Sequence, residues 1–148
     1  MLEIYKPYVL ESAISFETSV PTLGDFESRF STTIAKYPWL ALEVDDQVAA
    51  YAYAGVFKNR SAYDWSVEST IYVDRNFHKQ GLGKALYQEL IATLKNRGIL
   101  NIIGIIALPN EPSVALHETL GFKFDRWWDV GYWQLQLAKP KHPTPIQF

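Results

Sequence analysis

A chain of 148 residues, 48% hydrophobic and 20% charged, has the length and composition of one compact domain and too much apolar character for a disordered segment. Fourteen Lys and Arg against sixteen Asp and Glu leave a net charge of -2, so no global basic field exists to hold nucleic acid or an anionic membrane. The lack of cysteine excludes a disulfide scaffold, a thiolate metal site and a cysteine nucleophile, and His78, His117 and His142 fall at no metal-ligand spacing.

Leu2 to Leu10 reads as a short helix in which Pro7 fits a first turn better than an interior. A polar connection with one aromatic, Phe16, leads to an amphipathic helix from Asp25 to Tyr37, where Phe26, Phe30, Ile34 and Tyr37 recur every three or four residues and Pro38 ends the pattern. Trp39–Val44 and Gln47–Phe57 read as strands of a hairpin turning at Asp45-Asp46. After a polar loop, Lys58 to Tyr63, a third strand is expected over Asp64–Asp74. A loop rich in cations and glycine, Arg75 to Gly83, opens a helix from Leu82 to Arg97 that Gly98 stops. The nearly all-apolar run from Asn101 to Leu108 suits a strand buried on both faces. A turn and a helix over Ser113–Leu120 follow, then strands near Phe122–Arg126 and Gly131–Leu137, and from Pro140 a proline-containing tail. The helix set between two strands reads as a crossover on one sheet, which gives an α/β class with a mixed sheet and a single domain over 1–139. No basic segment precedes an apolar run, and no apolar stretch nears the ~20 residues that span a bilayer. The expected location is the cytoplasm.

Three places carry chemistry. In Asp74-Arg75-Asn76-Phe77-His78-Lys79-Gln80-Gly81-Leu82-Gly83-Lys84, two glycines sit where a helix begins, so backbone amides and three cations converge on one point. That arrangement suits a phosphate or pyrophosphate, although a plain glycine turn feeding a helix has the same pattern. The spacing fits neither a nucleotide P-loop, which needs glycine at His78 and a hydroxyl at Ala85, nor a dinucleotide fingerprint, which needs a third glycine at Leu86. Asn110 and Ser113 are either helix caps or ligand contacts, and His117, lone on a helix, reads as a satisfied core histidine. Glu68, a carboxylate inside a β-type run, belongs either to a wet face or to a site.

Together these features resemble the GNAT N-acetyltransferases, and within them the phosphinothricin and methionine sulfoximine acetyltransferase group. The resemblance rests on the loop ending Gly81-Leu82-Gly83 and on Tyr37-Pro38-Trp39-Leu40, Tyr51-Ala52-Tyr53-Ala54-Gly55, Ala62-Tyr63-Asp64-Trp65 with Glu68-Ser69-Thr70, Leu108-Pro109-Asn110 with Pro112-Ser113, Leu120-Gly121-Phe122, and Trp128-Asp129-Val130-Gly131-Tyr132-Trp133. It implies acetyl-CoA as cosubstrate. The backbone of Ile71, Tyr72 and Val73, at a bulged strand, would hold the pantetheine arm, and Lys79, Gln80, Gly81, Leu82, Gly83 and Lys84 the pyrophosphate. Asn110 and Ser113 would add contacts to the cofactor. Glu68 matches the family's catalytic carboxylate, and His117 falls where many members place a tyrosine acid. Lys58, Asn59, Arg60, Ser61 and Tyr63 fall where the family meets a small amino acid analogue through its primary amine. A homodimer is implied, with Trp127 to Trp133 contributing.

Three departures from the family pattern stand out. The chain starts inside the expected first helix, so the family's usual first strand is missing and a sheet edge is exposed. The stretch from Phe122 to Trp128, which helps shape the amine pocket, is shorter than usual, and His78 replaces a glutamine or arginine. They give a rival reading: a degenerate member that binds CoA with little or no transfer.

Overall fold

The structure, a computed structural model, describes residues 1–123. The strands expected over Phe122–Arg126 and Gly131–Leu137, the tail, and the Trp127–Trp133 segment lie wholly or largely outside the described residues. Helices α1 (Leu2–Leu10) and α2 (Leu23–Ile34) precede the hairpin β1 (Trp39–Val44) and β2 (Gln47–Val56). Strand β3 (Ser66–Val73), helix α3 (Leu82–Asn96), strand β4 (Asn101–Gly104) and helix α4 (Glu111–Thr119) follow. The described sheet runs β1-β2-β3-β4, with β1–β2 and β2–β3 antiparallel and β3–β4 parallel, so α3 is the crossover that the chain order predicts.

Local chemistry explains most boundaries. Asp45 and Asp46 both take positive φ (48° and 61°), as a two-residue hairpin turn with the strands' own twist requires. Helix α2 starts at Leu23 rather than Asp25, because Thr22 caps it: the Thr22 hydroxyl accepts from the Asp25 amide while the Asp25 carboxylate accepts from the Thr22 amide. It also stops at Ile34, short of the expected Tyr37, well before Pro38. Helix α4 begins at Glu111, earlier than expected, since Asn110 is its N-cap. Helix α1 continues through Pro7, contrary to the first-turn expectation; the missing amide forfeits one hydrogen bond, and the Pro7 carbonyl still accepts from Glu11.

Two further corrections bear on the site. Strand β3 carries no bulge: its register with β2 is continuous from Ala50↔Val73 to Val56↔Val67. The irregularity lies in the first hairpin, between Leu42 and Glu43, opposite Ala49. Strand β4 ends at Gly104 rather than Leu108. Its ladder with β3 covers only Ser66–Ser69, and past it Ile105 and Leu108 are exposed instead of buried.

Alternation divides the sheet into two apolar layers. One face of β2 and β3 (Ala50, Ala52, Ala54, Val67) packs on Leu86, Tyr87, Leu90 and Leu94 of α3, on Leu116 of α4 and on its C-cap Leu120. The other face presents Tyr51, Tyr53 and Tyr72 to Tyr5 of α1 and Phe26 of α2. The site lies where the first layer ends.

Candidate functional site

Beyond the pair Ser69↔Gly104 the parallel strands part and form a fork. The Asp74 amide donates to the Ala49 carbonyl at 2.8 Å, back toward β2. Alternation along an extended strand therefore turns the backbone groups of Ile71 and Val73 to the open side of the fork, and those of Tyr72 away from it. For Val73 this is seen directly, because the Tyr8 hydroxyl of α1 donates to its carbonyl from that side at 2.5 Å. His78 Nε2 lies 3.1 Å from the same oxygen. The Ile71 groups and the Val73 amide remain to meet an extended chain laid in the fork.

At the wide end of the fork, Asp74 accepts from the Asn76 amide and starts a short 3₁₀ turn, Arg75–Phe77. Lys79 follows with φ 60°, then Gly81 with φ 79° as the N-cap of α3. Glycine cannot cap with a side chain, so the amides of Leu82, Gly83 and Lys84 point outward without a capping acceptor. The partial positive charge of a 15-residue helix sits at that point. The two glycines serve different ends. Gly81 supplies the left-handed conformation, and a Cβ there would meet open space. Gly83 lets α3 lie against β3, since its Cβ would stand 3.2 Å from Val73 Cγ2. Lys79 and Lys84 are exposed and make no ion pair among the described residues. Arg75 is committed elsewhere: it pairs with Glu11 and donates to the Pro7 carbonyl, tying the loop to α1.

Asn110 takes the capping role, accepting from the Ser113 amide at 3.3 Å. His117 is buried at the crotch of the fork. Its Nδ1 lies 2.7 Å from the Ser113 carbonyl and its Nε2 3.0 Å from the Tyr87 hydroxyl. Tyr87 in turn meets Ser69 Oγ at 2.6 Å. Gly104 makes room for the ring, since a Cβ on it would fall 2.7 Å from His117 Nε2. The histidine is thus a satisfied core residue by its contacts, placed at the one point where the two strands separate.

Glu68 is half-buried, opposite Gly55 on β2 and Ile103 on β4, and burial pushes its carboxyl above the usual range. It shares a face with Thr70 and Tyr72, and Thr70 stands opposite Tyr53 on β2. That face borders a cavity of about 240 Å³ whose walls include Tyr5, Trp39, Tyr51, Tyr53 and Tyr72. Trp39 stacks on Tyr53 with centroids 4.0 Å apart, and burial raises the phenols of Tyr51, Tyr53 and Tyr72. Arg29 and Glu17, also lining it, form an ion pair. Lys58 to Tyr63 occupy the hairpin end of β2 and β3, the end nearer Glu68. Lys58 Nζ stands 5.3 Å above the Phe57 ring and 5.5 Å above that of Tyr63, while Asn59, Arg60 and Ser61 are exposed.

The 15% aromatic share predicts a sizeable core or an aromatic-lined pocket, but sequence reasoning missed which residues wall the cavity and the Ser69–Tyr87 pair behind His117. The alternation of Tyr51 and Tyr53 signalled one aromatic face, but the other walls come from three separate elements. Among the described residues no cluster of potential metal ligands exists.

The architecture and the motifs meet in one comparison: residues 1–128 match the model of the acetyltransferase (GNAT) domain. The chain belongs to the GNAT acetyltransferase family. This acetyltransferase is 38% identical to the phosphinothricin N-acetyltransferase of Streptomyces viridochromogenes over 98% of its own length and 85% of the relative's. It is 31% identical to the L-methionine sulfoximine/L-methionine sulfone acetyltransferase of Salmonella typhimurium over 97% and 90% of the two chains. Among solved structures, a phosphinothricin acetyltransferase from Sinorhizobium meliloti in complex with AcCoA superposes with a TM-score of 0.81, at 35% identity, over 84% of this chain and 69% of that one. The enzyme is an N-acetyltransferase that uses acetyl-CoA as cosubstrate. The uncapped α3 terminus, two exposed lysines and the unpaired side of β3 fit a pyrophosphate joined to an amide-bearing arm.

Proposed function

We propose that this acetyltransferase acetylates the primary amine of a small amino acid analogue of the phosphinothricin or methionine sulfoximine/sulfone type. The observation that carries the reading is the half-buried Glu68 carboxylate on the sheet face that, through Tyr72, also walls an aromatic cavity of about 240 Å³. The names of the relatives support the substrate class.

Acetyl-CoA supplies the thioester that the amine attacks. The amides of Gln80 to Lys84, with Lys79 and Lys84, hold its pyrophosphate, and the backbone of Ile71 and Val73 holds its pantetheine arm, while Tyr72 turns its backbone to β2. Asn110 and Ser113 border the arm at the base of α4. An α-amino group has a pKa near ~8, so much of it is protonated at neutral pH and unable to attack. Glu68 accepts that proton as general base. Its raised pKa brings it nearer the operating pH, where a base works best. The N–H groups on the open side of β3 supply donors for a carbonyl oxygen held in the fork. The leaving thiolate needs only modest help, a thiol pKa being ~8.5, and His117, whose two ring nitrogens are engaged by Ser113 and Tyr87, shapes the crotch of the fork where it would leave. Lys58, Asn59, Arg60, Ser61 and Tyr63 form the outer rim of the amine site. A homodimer completes the reading, since the outer edge of β1 pairs with no strand among the described residues.

Thiol release from acetyl-CoA, measured over a panel of amino acid analogues, tests the reading. Phosphinothricin or methionine sulfoximine should be turned over well above bulky or secondary amines. Tight acetyl-CoA binding with no release for any amine would instead establish a CoA-binding protein without transfer.

A further inference from the structure

The ion pair of Glu17 and Arg29 stands in the wall of the aromatic cavity. The same two side chains also wall a neighbouring hollow of about 480 Å³, lined otherwise by the rest of residues 16–22 and by Asp25. Arg29 is the one cation in the wall of the aromatic cavity among the described residues. Its side chain is 50% exposed, so a ligand can reach it. Its bond to Glu17 runs from Nη1, one of three nitrogens that together carry five N–H donors. Donors therefore remain for a second anion. Asp25, the other carboxylate of the hollow, is committed to the α2 cap through Thr22. Tyr53 relates this cation to Glu68. On β2, Gly55 stands opposite Glu68 and adds no side chain, and Tyr53 comes next along that face. Burial raises the Tyr53 phenol most, the Glu68 carboxylate raises it further, and the Arg29 guanidinium opposes them. One wall of the cavity thus lies within electrostatic reach of both charges.

We propose that Arg29 is a specificity-determining residue, which receives an anionic oxygen group of the amine substrate, the α-carboxylate or a γ-phosphinate, and that Glu17 competes for the same guanidinium. The inference rests on the reading of the substrate as an amino acid analogue and deepens it. Such a substrate carries an ammonium and at least one acid. The ammonium suits Glu68, and the acid needs a cation. The planar fork of a guanidinium meets a carboxylate or a phosphorus acid at two points, which fixes orientation as well as charge. The cations of the outer rim, Lys58 and Arg60, do not line this cavity. Lys58 lies over the rings of Phe57 and Tyr63 instead. Glu17 has the opposite effect. Its carboxylate already neutralises the guanidinium and repels an incoming acid. The two partners of one ion pair therefore act in opposite directions on acid-bearing amines. A pair that only held the cavity together would make both losses act alike.

Steady-state kinetics of the full chain with four amines test this. Phosphinothricin carries both acids, its decarboxylated form only the phosphinate, methionine sulfone only the carboxylate, and decarboxylated methionine sulfone neither. Arg29→Gln should raise KM for an amine bearing the received acid about tenfold more than for the amine bearing neither. That is the low end for a hydrogen bond to a charged group, because the side chain is half exposed. The loss should fall on KM rather than kcat, as removal of uniform binding does. Arg29→Lys keeps the charge without the fork. It should recover part of the loss, and it carries the test if Arg29→Gln does not fold. Glu17→Gln should lower KM for the same amines, by up to about fivefold. The acid whose removal abolishes the Arg29 effect is the one received. A wild type that turns over none of the four refutes the substrate reading and this inference with it. Where the wild type accepts phosphinothricin, an Arg29→Gln enzyme that treats acid-bearing and neutral amines alike overturns the inference and leaves the substrate reading standing. A Glu17→Gln enzyme whose KM rises as that of Arg29→Gln does has the same consequence.

Discussion

Gly104→Ala is the sharpest test of where His117 sits. The added methyl would lie 2.7 Å from Nε2 and 2.8 Å from Cδ2, well inside van der Waals contact. The ring has nowhere to go. Nδ1 is held by the Ser113 carbonyl, and the ring packs edge-on against Tyr87 and Phe122 with centroids 5.1 and 5.0 Å away. Moving it breaks the bond to Tyr87, for about 1 kcal/mol, and overpacks the neighbours, for about 1–3 kcal/mol. A chain of this size loses about 3 °C of melting temperature per kcal/mol, so the drop should be ~6–12 °C. Thermal unfolding followed by circular dichroism measures it. A variant melting with the wild type, with an unshifted His117 NMR signal, would refute the placement of the ring and with it the Ser69–Tyr87 chain.

Two other outcomes follow from the same geometry. Gly81→Ala should weaken acetyl-CoA binding by calorimetry more than Lys84→Ala, because a left-handed residue with a Cβ costs roughly 1–2 kcal/mol of backbone strain at the point of contact, whereas an exposed cation contributes at most about 1 kcal/mol; equal or reversed effects would contradict the helix-terminus assignment. Glu68→Gln should melt higher than wild type at neutral pH. Burial raises the folded carboxyl's pKa above its unfolded value, so the unfolded state binds fewer protons between the two and wild-type stability falls as pH rises through that window. The difference should vanish below the ordinary glutamate pKa of ~4.3, and a gap that persists there would contradict burial as its cause.

The parts legible in the sequence were those that a local pattern determines. The period of α3, the Asp45-Asp46 turn and the glycines before α3 each fixed an element or its boundary. The failures are tertiary. The run Asn101–Leu108 is apolar throughout, but how far it pairs depends on where β3 diverges, which no property of the run encodes. Pro7 stays inside α1 because tertiary packing, with Tyr5 and Tyr8 against Tyr72, outweighs one missing hydrogen bond. Likewise the resemblance supplied Glu68 and His117 as positions, while the aromatic cavity and the hydroxyls behind His117 join residues 18 to 67 positions apart and emerge only once the sheet is assembled.

The central claim, that Glu68 is the base which frees the amine, is tested most directly by one pH–rate profile of the wild type and Glu68→Gln on an accepted amine. Losing one positioned base should lower kcat by ~10²–10⁴-fold near neutral pH, with acetyl-CoA binding intact. The deficit should shrink as pH rises and the free amine forms unaided. The wild-type rate should fall on the acid side at a pH above the ordinary glutamate value, as the raised carboxyl takes up its proton. A Glu68→Gln enzyme turning over at close to the wild-type rate at neutral pH would contradict the account.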